Sequence, residues 1–179
     1  MSFDTNININ INNNTFKPAL IIVDLQEDFL PPNGSLAVTN GREAIPIINN
    51  LINLPFHLKI ATKDWHPSNH TSFASNHPVE MYSAFYDPLE NPRYIDSGLA
   101  GLLKDEGITD VFVVGLAADY CVKCTAEDSA KEGFKTFIID EGTRPVDPAQ
   151  WERVKFSLGG VKVVSYNSED VDRVRNFSK

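Results

Sequence analysis

Two unbroken apolar runs constrain this chain most. Residues 19–23 read A-L-I-I-V and stop at Asp24, and residues 110–116 read D-V-F-V-V-G-L. Neither alternates polar with apolar, and both are too short for a buried helix. Runs of this kind suit strands covered on both faces, as in a parallel sheet. Shorter strand signals follow at 57–62, 135–140 and 161–165. Between them, apolar residues recur at helical spacing: Ile45, Ile48, Leu51 and Ile52 within 43–54, and Leu99, Leu102 and Leu103 within 97–105. Further helices are predicted at 119–132, 148–158 and 168–176. Strands alternating with helices predict a doubly wound, three-layer α/β/α fold around a parallel sheet of about five strands.

The 179 residues suit one domain. Residues 1–15 are Asn-rich, with an N-I-N-I-N-I alternation, and are expected to form a disordered tail ahead of a domain at 16–179. The tail has neither the basic nor the apolar region of a signal peptide, so a cytoplasmic setting is expected. Lys and Arg number 16 against 24 Asp and Glu, a net charge of −8. That balance argues against non-specific nucleic-acid binding, which needs a basic field. No apolar run approaches the ~20 residues of a membrane helix. Neither G-x-G-x-x-G nor a P-loop is present. Cys121 and Cys124 are the only cysteines, too few for a disulfide scaffold.

Ligands of open α/β sheets bind at the carboxyl ends of the strands. Asp24 follows strand one, Asp64 and His66 follow strand two, and Cys121 follows strand three. Cys121 near a helix start is expected to have a lowered thiol pKa, which suits a nucleophile; the bland alternative is a small buried hydrophobe. Asp24 suits a general base for that thiol, or a turn aspartate. Asp64-x-His66 suits a metal pair or a solvated loop, with His70, Ser72 and His77 following in the same loop. C-x-x-C at 121–124 also admits a dithiol redox reading.

Taken together, A-L-I-I-V-D-L-Q-E-D-F (19–29), A-T-K-D-W-H-P-S-N-H-T-S-F (61–73), Y-S-A-F (82–85), V-V-G-L-A-A-D-Y-C-V-K-C-T-A (113–126) and D-E-G-T-R-P (140–145) resemble the nicotinamidase branch of the isochorismatase-like cysteine hydrolases. The likeness spans residues 18–165 in the family's order. The resemblance implies conversion of nicotinamide to nicotinate and ammonia, within NAD salvage. It implies that Cys121 is the nucleophile and Asp24 the base. The N–H groups of Ala117 and Cys121 would form the oxyanion hole, with a cis peptide at Leu116–Ala117. Asp64 and His66 would hold a divalent metal, usually zinc. Phe29 and Tyr120 would line the substrate pocket, and Arg144 matches a structural position. The expected partner is a small amide, with no nucleic acid and no membrane, and a homo-oligomer is compatible with the family.

Two family elements have no counterpart. One is a W-P-x-H-C segment whose His is the third metal ligand. The other is a strand ending in the Lys of a Cys-Lys-Asp triad. Here S-N-H-P at 75–78 runs directly into V-E-M-Y-S-A-F at 79–85, and His77 is a poor substitute for the missing ligand. The expectations are therefore strand two at the edge of the sheet, weak zinc binding and slowed turnover. The competing reading is an inactive derivative with a binding or structural role.

Overall fold

A computed structural model describes residues 16–65, 82–90 and 93–178. The tail at 1–15 and the loop carrying His66, His70, Ser72 and His77 lie outside the described residues.

Five parallel strands make the main sheet: β1 (Pro18–Val23), β2 (Leu58–Ala61), β5 (Asp110–Leu116), β6 (Lys135–Arg144) and β7 (Val161–Val164), in the order β2-β1-β5-β6-β7. Every residue of β1 and of β5 is buried, as their unbroken apolar runs require. Successive side chains leave opposite faces of a strand. Ala19, Ile21, Val23, Val111 and Val113 accordingly enter one core, while Leu20, Ile22, Phe112 and Val114 enter the other.

Helices cover both faces. The first core is closed by α2 (Leu99–Asp105), α3 (Lys123–Lys131) and α4 (Pro148–Val154), through Leu103, Ala126 and Trp151. The second is closed by α1 (Ile45–Ile52) and α5 (Glu169–Arg175), through Ile48, Leu51, Val171 and Val174. Each fully buried side chain of this size stabilises the fold by roughly 1.5–3 kcal/mol relative to exposure. Phe112 lies at the centre of the second core, stacked on Phe137 at 4.6 Å and edge-on to Phe56 at 5.6 Å. The three-layer α/β/α expectation holds, and among the described residues β2 ends the sheet order, as expected.

Several boundaries differ from the sequence reading. Residues 41–44 form a 3-10 turn before α1, because Pro46 has no N–H and fits only a first turn. The predicted helix at 119–132 opens with a π turn, Ala118–Val122, before α3 begins. The helix predicted at 148–158 stops at Val154. Strand β6 runs on to Arg144, with a pairing irregularity opposite Val113 and Gly115. A two-stranded antiparallel hairpin, β3 (Tyr86–Glu90) and β4 (Arg93–Asp96), was not foreseen. Its base is tied by the Ser97 N–H donating to the Phe85 carbonyl at 3.0 Å and the Ser97 hydroxyl donating to the Ala84 carbonyl at 2.8 Å.

Candidate active site

The connection from β1 leads outward to β2, whereas the chain later crosses back to β5 on the other side of β1. The carboxyl ends of β1 and β5 therefore flank the point where the winding reverses. That is where open α/β sheets form their ligand crevice. Asp24 lies one residue past β1, and Cys121 lies in the π turn just past β5.

Asp24 is buried and sits at φ +47°, in the left-handed region. Non-glycine residues adopt this conformation uncommonly, Asp and Asn more readily than most. Thr62 reaches it from the end of β2. The Thr62 hydroxyl donates to Asp24 Oδ1 at 2.6 Å and accepts from the Asp24 N–H at 3.1 Å. Gln26 makes the next link across the same two loops. Its Oε1 accepts from the Asp64 N–H at 2.8 Å, and its Nε2 donates to the Asp64 carbonyl at 3.1 Å. Neither Thr62 nor Gln26 was singled out from the sequence.

The Cys121 thiol lies within the reach of the Asp24 carboxylate, whose charge and hydrogen-bonding capacity both act on it. Burial is the main cause pushing this thiol up from its ordinary pKa; the negative charge of Asp24, the hydrogen bond to it and the charge of Asp64 add to the effect. This corrects the expectation of a lowered thiol pKa. Burial of the thiol in the opening π turn comes first, and the nearby Asp24 and Asp64 carboxylates push in the same direction. The resting pair is thus a neutral thiol beside a carboxylate, which is the starting state for proton transfer to a base. Cys124 is also pushed up, chiefly by burial, and both cysteines are free.

Backbone geometry beneath the thiol is tightly set. The Leu116–Ala117 peptide is cis, as the resemblance implies. The Tyr120 and Val122 N–H groups both donate to the Ala117 carbonyl at 3.1 Å. Gly115 adopts φ +116°, and a Cβ there would lie 2.0 Å from the Val23 carbonyl oxygen, so only glycine lets β5 approach β1 so closely. Asp119 braces the turn from outside, accepting from the N–H groups of Val146 at 2.9 Å and Asp147 at 2.8 Å.

Phe29 packs with Leu30, Val38, Leu116 and Ala117, beside the cis peptide. Tyr120 is 41% exposed and meets Tyr82 edge-on at 5.2 Å. The Y-S-A-F stretch docks here: the Ala84 N–H donates to the buried Thr125 hydroxyl at 3.0 Å, and Phe85 is fully buried. Arg144 is structural, donating to the Glu141 and Thr143 carbonyls and to Glu43. A cleft of about 430 Å³ lies away from Cys121, between Asn40, Arg144 and Trp151. Its acids are already engaged, Asp140 by Trp151 and Lys155, and Glu141 by Ser165 and Tyr166.

For a metal, the described residues offer Asp64. Among them no group of three or more His, Cys, Asp or Glu is placed to hold an ion. The other residues of the expected set, His66 foremost, lie outside the described residues, and no chemical step is routed through a metal.

Comparison with known proteins places this arrangement. Residues 63–165 match the Isochorismatase domain family. The nicotinamidase of Acinetobacter baylyi is 33% identical, over 72% of this chain and 82% of that protein. The crystal structure of PnC1 from L. infantum in complex with nicotinate superposes with a TM-score of 0.75 at 34% identity, covering 83% of this chain and 92% of that one. The pyrazinamidase of Pyrococcus horikoshii in complex with zinc gives a TM-score of 0.68 at 28% identity, covering 83% and 99%. With a thiol and a carboxylate paired at the switch point of the sheet, and relatives of this identity and coverage, the chain belongs to the nicotinamidase branch of the isochorismatase-like amide hydrolases.

Proposed function

We propose that this chain hydrolyses nicotinamide to nicotinate and ammonia through a thioester on Cys121. The observation that carries the reading is the placing of the buried Asp24 carboxylate and the Cys121 thiol beside each other at the sheet's switch point. Asp24 takes the thiol proton as Sγ attacks the amide carbon. The oxyanion that forms is stabilised by the N–H groups of Ala117 and Cys121, an arrangement in which fixed dipoles face the developing charge. Asp24 returns its proton to the leaving nitrogen, and ammonia departs. Asp24 then accepts a proton from water as that water attacks the thioester carbon. Nicotinate is released, and the thiol is regenerated. Phe29 and Tyr120 line the ring pocket in this reading.

The nicotinate complex of the L. infantum relative supports a pyridine ligand. The zinc-bound P. horikoshii relative supports a divalent metal in the family, for which Asp64 and His66 are the proposed ligands here; when bound, it would hold the pyridine nitrogen. With no counterpart of the family's Lys or third ligand in 75–85, turnover is proposed to be slowed. Members of a cooperating catalytic set lose orders of magnitude in rate when one is removed. The activity belongs to pyridine-nucleotide salvage in the cytoplasm, a setting that two reduced cysteines suit. The domain is proposed to span residues 16–179.

An ammonia-release assay on four proteins tests the reading. The unaltered chain should act slowly, Cys121→Ala should be inactive, and Cys124→Ala should match the unaltered chain. Restoring a W-P-x-H-C segment and a Lys-bearing strand between Pro78 and Val79 should raise the rate sharply. Equal loss from both cysteine changes would favour dithiol chemistry. Lack of Cys121-dependent release in every form would favour an inactive derivative with a binding or structural role.

A further inference from the structure

We propose that Thr62 is a positioning residue whose hydroxyl holds the Asp24 carboxylate against the Cys121 thiol. Asp24 departs from ordinary backbone conformation at φ +47°, and such outliers persist where the surroundings over-determine them. Here one hydroxyl does much of that work. It accepts from the Asp24 N–H at 3.1 Å and donates to Oδ1 at 2.6 Å, so it fixes the backbone and the carboxylate plane of the same residue. A hydroxyl has one proton to give, and this one is committed to Asp24.

Thr62 is itself held in place. Its N–H donates to the Ile22 carbonyl at 2.9 Å, continuing the β1–β2 pairing one residue past the end of β2. Two residues on, Gln26 clamps the Asp64 backbone from the β1 side. The loops after β1 and β2 are thus joined by side-chain links where the backbone ladder stops. Thr62 contributes to catalysis through Asp24 and not by touching substrate. Its shape is kept by Val without the hydroxyl, and its hydroxyl is kept by Ser without the methyl group.

The kinetic arm rests on the proposed amide hydrolysis; the spectroscopic arm does not. In a Cys124→Ala background Cys121 is the only thiol, so the infrared S–H stretching band reports on it alone. The band should sit at the hydrogen-bonded position in the parent and in Thr62→Ser. It should move to the unbonded position in Thr62→Val, as in Asp24→Ala. In steady-state ammonia release, Thr62→Val should lose roughly 10²-fold in kcat, the share a positioned proton transfer supplies, with KM changed less than about twofold. Thr62→Ser should recover most of it. Thr62→Ala replaces Thr62→Val if the latter fails to fold. An unmoved S–H band in a folded Thr62→Val or Thr62→Ala protein overturns the proposal. So does a loss shared between kcat and KM that Ser does not rescue. Ammonia release absent from the parent would sink the amide-hydrolase reading, and the S–H band would still decide the role of Thr62.

Discussion

Replacing Gly115 by Ala tests how closely β1 and β5 must approach to build the site. The added Cβ would lie 2.0 Å from the Val23 carbonyl oxygen, 2.7 Å from its nitrogen and 2.8 Å from its carbonyl carbon. These are backbone atoms inside the sheet, so no side chain can swing away. The residue also sits at φ +116°, which an L side chain resists. Backbone strain of this kind costs about 1–3 kcal/mol, and forcing extra atoms into a packed interior costs about 1–3 kcal/mol more. A combined loss of about 4 kcal/mol lowers Tm by roughly 8–16 °C for a chain of this length. Two controls separate the contributions. Gly133 has φ +95° but open space around a Cβ, so Gly133→Ala carries the conformational cost alone, about 1–2 kcal/mol. Gly101 lies within α2 with open space and ordinary φ, so Gly101→Ala should stabilise by up to about 1 kcal/mol. Thermal and urea unfolding of the three variants gives the ranking. If Gly115→Ala costs no more than Gly133→Ala, the steric reasoning is wrong.

Two further outcomes follow from the site. Burial first, and then the Asp24 charge, push the Cys121 thiol up, whereas an unfolded thiol ionises near pH 8.5. Above about pH 8.5 the unfolded chain sheds a proton that the folded chain keeps, so stability should be full below that pH and fall as pH rises. Urea midpoints from pH 7 to 10 should fall less steeply for Cys121→Ala, with a residual slope from Cys124; identical slopes would refute the assignment. Calorimetry should show weak zinc binding, because the proposed ligands Asp64 and His66 number two where catalytic zinc sites generally use three from the protein. Tight one-to-one binding abolished by His66→Ala would overturn this and point to His70 or His77 as the third ligand.

Asp24 and Cys121 were legible because strand ends are read from hydrophobicity, and a carboxylate or a thiol at such an end is chemically conspicuous. The five strands were legible for the same reason: β1 and β5 are apolar throughout, and their neighbours are bounded by charge and glycine. Thr62 and Gln26 were not. Each works by a contact to a residue 38 positions away, and neither side chain has a chemistry that singles it out locally. The hairpin at 86–96 was hidden by Pro88 and by sparse apolar alternation, which read as loop. Gly115 read as an ordinary strand residue, since its φ depends on the approach of β1. The direction of the Cys121 shift was misjudged because a helix start is visible in sequence, whereas the burial of the thiol, and after it the nearness of the Asp24 and Asp64 charges, are products of the folded sheet. The family resemblance supplied the cis peptide at Leu116, which periodicity gives no means of finding.

The order β2-β1-β5 also sets when the molecule becomes whole during synthesis. β1 is flanked on both sides in the sheet, but one neighbour is encoded roughly ninety residues downstream. At ~5–20 residues per second, the six apolar residues of β1 wait some 4–18 seconds for β5. In that interval β1 can pair with β2 alone, and two parallel strands are not stable without further support. Asp24 and Cys121 therefore cannot be brought together before β5 has joined the sheet. A nascent chain exposes a sticky strand first and acquires its chemistry late, so slow translation between residues 24 and 110 would lengthen the aggregation-prone interval without changing the final structure.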